Sequence, residues 1–159
     1  MKVALLMGGR SSEREISLKT GRQIAAALIK NGHEVIKFDV DDNIAEKIVN
    51  AKVDVAFIAL HGRYGEDGTI QGLLEIIGVP YIGSGVLASS LAMNKIMTKK
   101  ILEYEVIPTP QWMSISKGQF RKRAWSDLWR EVQDKTGVPV VVKPNREGST
   151  IGLSIAKDE

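Results

Sequence analysis

Residues 53–72 read VDVAFIALHGRYGEDGTIQG. The first part, 53–60, is an apolar run with β-branched residues, the pattern of a strand buried on both faces. It stops at His61. From there to Thr69 the chain carries Gly62, Gly65 and Gly68 among Arg63, Glu66 and Asp67, and the apolar spacing then turns helical at Ile70, Leu73, Leu74 and Ile77. A polar, glycine-bearing loop thus joins the carboxyl end of a buried strand to the amino end of a helix. A strand with two apolar faces needs a layer of helices on each side, which points to an α/β fold. In open α/β sheets ligands sit at this edge, where free N–H groups of helix starts point, so His61, Arg63 and the two carboxylates are candidate site residues.

The same alternation recurs on either side of this stretch. Residues 2–7 are an apolar strand ending at Gly8-Gly9. A helix is predicted over 12–31, with Gly21, Ile24, Ala25 and Leu28 on its packed face and Ser11 or Ser12 as N-cap. Glu13 and Glu15 fall in its first turn, where negative charge suits the helix dipole, and Asn31-Gly32 closes it. A strand over 33–40, a helix over 43–50, the strand 53–60, a helix over 69–77, a short strand at 79–82 and a helix from 86 complete the pattern. Strand and helix alternate across short turns, so residues 1–94 are expected to form a doubly wound parallel sheet.

The character changes after Asn94. A helix bearing Lys95, Lys99 and Lys100 runs to about Glu105, and residues 107–110 form an extended, proline-bearing connection. A strand is predicted over 111–115, an amphipathic helix over 124–136 with Trp125, Leu128, Trp129 and Val132 on its apolar side, and a strand over 138–143. A polar glycine-containing turn, 144–152, leads to a last strand at 153–156. Three short strands and one helix make a thin domain, so residues 95–159 are expected to be a partial α+β unit.

Composition narrows the function. With 43% hydrophobic and 26% charged residues the sequence is that of a soluble globular protein. The net charge is only +3, and Lys and Arg are scattered apart from 117–123, which suits a small anionic ligand better than nucleic acid. The chain has no cysteine, which removes disulfides and thiol chemistry. No apolar run approaches the roughly 20 residues that span a bilayer, and Met1 leads straight into a strand. A cytoplasmic protein with no membrane partner is therefore expected.

Four constellations could carry chemistry. The first is Gly8-Gly9 with Glu13; the glycines permit close backbone approach, while Glu13 is either a site carboxylate or a surface charge that offsets the helix dipole. The second is His61, whose place at a strand's carboxyl end favours function over a structural histidine. The third is the pair Lys95 and Lys143. Lysines are usually solvated, yet Lys143 ends an apolar strand, where an ammonium needs an anionic partner. The fourth is 146–152, whose glycines and hydroxyls could offer N–H groups to phosphate, although the turn lacks the Walker A pattern.

Four blocks together resemble one family. GGRSSERE at 8–15, ALHGRYGEDGTIQG at 59–72, PYIGSGVLASSLAMNK at 80–95 and VVKPNREGSTIG at 141–152 look, in that order, like the D-alanine:D-alanine ligases of the ATP-grasp superfamily. The resemblance covers nearly the whole chain. It implies a Rossmann-like pre-ATP-grasp domain over 1–94 and a partial ATP-grasp central subdomain over 95–159. The implied reaction is ATP-dependent joining of two D-alanines through an acyl phosphate, for peptidoglycan precursor synthesis, with ATP and Mg2+ as cofactors. A homodimer through the amino-terminal domain is implied, and a missing carboxyl-terminal half is a further partner.

By motif, Glu13 resembles the carboxylate that holds the ammonium of the first D-alanine, and His61 the histidine near the reacting amino acids. Ser149 resembles the hydroxyl that links to Glu13 and orders the closed site. Lys95 and Lys143 match lysines that bind ATP phosphates, with Glu147, Gly148, Ser149 and Thr150 in the loop closing over them. The physics agrees, since phosphoryl transfer is catalysed mainly by positioning and by cations placed where negative charge develops. A carboxylate partner selects an amino acid over a plain acid. The adenine hinge, an arginine for the tetrahedral intermediate and the Mg2+ ligands are expected beyond Glu159, so no metal ligand is assigned here, and the 159-residue chain alone is expected to lack turnover. Tyr64 stands where many family members have glycine. A non-catalytic nucleotide or amino-acid binding module of the same fold is the alternative, whereas biotin-carboxylase-like proteins lack the SSERE and LHGR blocks together. The assignment requires Glu13 and His61 at the same end of the sheet.

Overall fold

The structure, a computed structural model, describes residues 1–158; the last residue of the expected second domain, Glu159, lies outside them. The chain divides into two compact units, Met1–Met93 and a second that begins at Asn94.

In the first unit the elements are β1 (Lys2–Met7), α1 (Arg14–Lys30), β2 (Glu34–Asp39), α2 (Ile44–Ala51), β3 (Val55–Ile58), α3 (Thr69–Ile76), β4 (Tyr81–Ile82) and α4 (Val86–Met93). The strands form one parallel sheet in the order β2-β1-β3-β4. Side chains alternate across β1. Leu5 and Met7 pack with Ala25 of α1 and with Ala59, while Ala4 and Leu6 pack with Ile44, Ile48, Ala56, Leu60, Ile70 and Leu74. Helix α1 therefore covers one face and α2 with α3 the other. Each fully buried leucine of β1 contributes about 1.5–3 kcal/mol of transfer free energy.

Helix α1 lies close to the sheet because Ser17, Gly21 and Ala25, four residues apart, form its buried stripe. A Cβ on Gly21 would come within 2.8 Å of the Met7 side chain. The helix starts later than its sequence suggested. Glu13 is the N-cap residue and makes no side-chain cap, so neither Ser11 nor Ser12 fills that role. Strand β3 is also shorter than the apolar run, although Ala59 and Leu60 beyond its end stay buried. From β1 the chain crosses to β2 on one side, and from β3 to β4 on the other. The crevice between the carboxyl ends of β1 and β3 is thus a topological switch point.

The second unit holds α5 (Lys95–Tyr104), α6 (Lys117–Lys122), α7 (Trp125–Thr136) and an antiparallel pair, β5 (Val140–Val142) with β6 (Ser154–Ala156). The strand expected over 111–115 is absent, and that segment has no regular structure. Side chains of α5 reach it and the residues just ahead of it: Lys99 bonds the Thr109 hydroxyl and the Pro110 carbonyl, and the Trp112 indole N–H donates to Glu103 at 2.6 Å. Helix α6 was not expected. Its start is a capping box, with Ser116 accepting from the Gln119 N–H while Gln119 reaches back to the Ser116 N–H. Helix α7 buries Leu128 and Trp129, and Trp125 stacks on Trp129 with ring centroids 6.1 Å apart.

Candidate functional site

Strand β1 ends in Gly8 and Gly9, whose φ values of 73° and 77° lie in the left-handed region that favours glycine. The buried hydroxyl of Ser17 accepts from the Gly8 N–H at 2.9 Å and donates to the Ala59 carbonyl at 2.7 Å. One side chain of α1 thereby fixes the ends of both central strands. The Gly9 N–H donates to Asp39, at the end of β2, and Arg14 grips the same carboxylate through two nitrogens at 2.6 and 2.5 Å. These hydrogen bonds, the one from Arg14 foremost, hold the Asp39 carboxyl below the usual aspartate range.

Glu13 and His61 meet at this edge. The Ser11 hydroxyl donates to the His61 carbonyl at 2.7 Å and accepts from the Glu13 N–H at 3.2 Å, so it ties the two segments together. The Glu13 side chain is only 2% exposed, which excludes the solvated dipole charge as its description. Its carboxylate lies against Gly62: a Cβ there would sit 2.7 Å from Glu13 Oε1, and Gly62 has a φ of 67°. The His61 imidazole reaches α1 through Nε2, which is 3.2 Å from the Thr20 hydroxyl.

The loop after His61 is braced by its own side chains. Glu66 accepts from the Gly62 N–H at 2.7 Å, and Asp67 accepts from the Tyr64 and Thr69 N–H groups, each at 3.1 Å. Partial burial would raise the Asp67 carboxyl, but these hydrogen bonds outweigh it and hold the group below the usual range. The buried Gln71 amide donates to the Gly65 carbonyl at 2.8 Å. Gly65 presses on the strand end, since a Cβ would stand 3.0 Å from the Leu60 carbonyl carbon and 3.2 Å from the His61 nitrogen. Tyr64 holds a left-handed φ of 69°, and the Arg63 guanidinium stands 4.7 Å above its ring. A cavity of about 270 Å³ opens at the same edge; Gly8, Gly9, Ser11, Leu60, His61 and Tyr64 are among its lining residues, whereas Glu13 faces Gly62 rather than the cavity.

Within the second unit, the start of α5 holds the turn that follows β5. The Lys95 ammonium donates to the Glu147 carbonyl at 2.5 Å, the Lys95 N–H to the Asn145 carbonyl, and the Ile96 N–H to the Asn145 side chain. Lys143 is exposed, so its place at the end of an apolar strand does not bury the ammonium and the expected need for an anionic partner does not arise. Ser149 and Thr150 are exposed at left-handed φ values of 46° and 60°, and Gly148 accepts from the Ile151 N–H at 2.9 Å. Among the described residues no group of three or more His, Asp or Glu side chains could hold a metal ion. None of their helices is long and apolar enough to cross a membrane.

Sequence reasoning missed Ser17, Thr20 and Gln71 as organisers of this edge. The signal was present for the first two: hydroxyls three apart on a helix share a face, and Ser17 begins the small-residue stripe that approaches the sheet. Gln71 sat within the apolar spacing of α3 and carried no mark of its own.

Comparison with known proteins places the chain. The family described as D-ala D-ala ligase N-terminus matches residues 2–45 and 41–84, and D-ala D-ala ligase C-terminus matches 101–159. The D-alanine–D-alanine ligase of Pelotomaculum thermopropionicum is 52% identical over 159 residues, covering 100% of this chain and 50% of that protein. Its counterpart from Carboxydothermus hydrogenoformans is 54% identical over 153 residues, 96% of this chain and 48% of that protein. The crystal structure of D-alanine–D-alanine ligase from Bacillus anthracis matches with a TM-score of 0.82 at 40% identity, over 100% of this chain and 50% of that one. The same enzyme complexed with ATP matches at 0.80 and 39%, over 100% and 51%. The chain spans about half the length of the relatives it matches. By these matches, and by the parallel sheet that carries the SSERE and LHGR segments to one edge, this chain belongs to the D-alanine–D-alanine ligase family.

Proposed function

We propose that this chain is the amino-terminal half of an ATP-dependent ligase that joins two D-alanines for peptidoglycan precursor synthesis in the cytoplasm. Residues 1–94 are its pre-ATP-grasp domain and 95–159 the start of its ATP-grasp central subdomain. The supporting observation is the buried carboxylate of Glu13 against Gly62, one residue beyond His61, at the switch point of the sheet. A carboxylate shielded from water attracts an ammonium strongly, which suits Glu13 to the amino group of the first D-alanine. His61, immediately before Gly62 in the same loop, supports the charge that develops when the second amine attacks.

ATP supplies the phosphoryl group that activates the carboxylate. The chemistry of Lys95, Lys143 and the 147–150 turn fits its phosphates: two cations, backbone N–H groups and the hydroxyls of Ser149 and Thr150. Ser149 belongs with Glu13 and His61 in the catalytic set. The described residues offer no cluster suited to Mg2+, so this reading assigns the metal to residues outside the chain. It also takes the functional protein to be a homodimer through the first unit.

The test uses the ligase-length protein that carries this chain. It should release phosphate and form D-alanyl-D-alanine only with ATP, Mg2+ and D-alanine together. Glu13→Gln should raise the KM for D-alanine roughly 10- to 100-fold, the equivalent of losing one charge-assisted hydrogen bond. The 159-residue chain alone should show no turnover. D-alanine binding without ligation in the longer protein would point instead to a non-catalytic module.

A further inference from the structure

Helix α1 touches the loop after β3 three times through hydroxyls or their neighbours: Ser17 at Ala59, Ser11 just ahead of the helix at the His61 carbonyl, and Thr20 at the His61 ring. The first two fix the backbone. The third acts on the imidazole itself, where Thr20 Oγ1 lies 3.2 Å from Nε2. A threonine hydroxyl can donate to a bare ring nitrogen or accept from a protonated one, so in either state Nε2 is engaged by the protein. Among the described residues Nδ1 makes no hydrogen bond. In a neutral histidine the hydrogen bond made by one nitrogen decides which chemical role is left to the other.

We propose that Thr20 is a positioning residue for His61: by occupying Nε2 it fixes the ring's orientation and leaves Nδ1 as the nitrogen presented to the reacting groups. The catalytic consequence rests on the ligase reading above; the geometry of the ring does not. Thr20 is partly buried and lies three residues on from Ser17, which places the two hydroxyls on the same side of α1. A residue that only filled space here would serve equally well as valine.

The chain has two histidines, His33 and His61, so its imidazole nitrogens can be followed individually by 15N-detected correlation spectroscopy. In the neutral form, Thr20→Val should move the Nε2 shift of His61 toward that of a nitrogen with no protein hydrogen bond, Thr20→Ser should leave it near the parent value, and His33 should not respond. Unchanged His61 shifts in a folded Thr20→Val chain would overturn the proposal. Should valine prevent folding, the comparison of Thr20→Ser with Thr20→Ala decides on the same readout, and equal His61 spectra in those two would overturn it as well. In the ligase-length protein, Thr20→Val should lower kcat roughly tenfold with the KM for ATP unchanged, and Thr20→Ser should restore most of the loss. A changed His61 spectrum in a protein that never turns over D-alanine would sink the ligase reading and leave the positioning intact. An unchanged spectrum would sink the positioning whatever the turnover.

Discussion

The Ser17 hydroxyl donates to the carbonyl of Ala59 at 2.7 Å while it accepts from the N–H of Gly8. Both backbone groups lie at strand ends with no further residue to pair with, and Ser17 itself is fully buried. Ser17→Ala would leave a donor and an acceptor unpaired in an apolar setting. The expected cost is about 2–3 kcal/mol of stability, measured by urea unfolding. A loss within experimental error of zero would mean that neither bond matters to the fold.

Gly62 separates two effects that usually arrive together. Its φ of 67° makes any side chain costly, and a Cβ would also meet the Glu13 carboxylate at 2.7 Å. Gly32 has a comparable φ of 81° with nothing within 4 Å of its absent Cβ. Gly32→Ala should therefore show the backbone cost alone, about 1–2 kcal/mol. Gly62→Ala should show that cost plus displacement of Glu13, seen in the ligase-length protein as a raised KM for D-alanine. Equal behaviour of the two variants would argue that Glu13 does not depend on its neighbour.

Much of the first unit was readable from residue order. The apolar run of β1, the glycines that end it and the switch to helical spacing after Gly68 are local patterns, and each led to the right element. The start of α1 was misread because Ser11 resembles an N-cap, whereas its hydroxyl accepts from the Glu13 N–H ahead of the helix and donates to the His61 carbonyl, 50 residues away, a partner that only the folded sheet supplies. The second unit was less legible. Residues 111–115 have strand-like composition, yet the Trp112 indole is taken by Glu103 of α5, and Lys99 holds Thr109 and Pro110 just ahead of the segment. Helix α6, by contrast, carried its signature openly in Ser116 and Gln119.

Acid should loosen the mouth of the site before it unfolds the core. Asp39 is held below its ordinary value, chiefly by Arg14 and also by the Gly9 N–H. A group whose folded value is depressed adds stability above its unfolded value, near 3.9, and that contribution is lost as pH falls through the folded value. Stability should be flat from neutral pH to about 5 and then decline below about 4. Asp39→Asn should be less stable at neutral pH, with a shallower acid decline, since it has no proton to take up. A variant curve parallel to the parent's below pH 4 would remove Asp39 from the account.

Lys95 tethers the turn it has been assigned to serve. Its ammonium donates to the Glu147 carbonyl, while two backbone N–H groups at the start of α5 hold Asn145 independently. Lys95→Met should therefore release the turn near Glu147 and leave the Asn145 anchor in place. Loss of one such hydrogen bond is worth about 1 kcal/mol, so amide exchange at residues 147–149 should quicken roughly fivefold, with little change in β5 or α7. Asn145→Ala, which removes the side-chain acceptor of the Ile96 N–H, should instead speed exchange at the first turn of α5. If Lys95→Met speeds exchange uniformly through the second unit, the lysine is a general brace of the fold. If it alters nothing, the ammonium is free for phosphate at no structural cost.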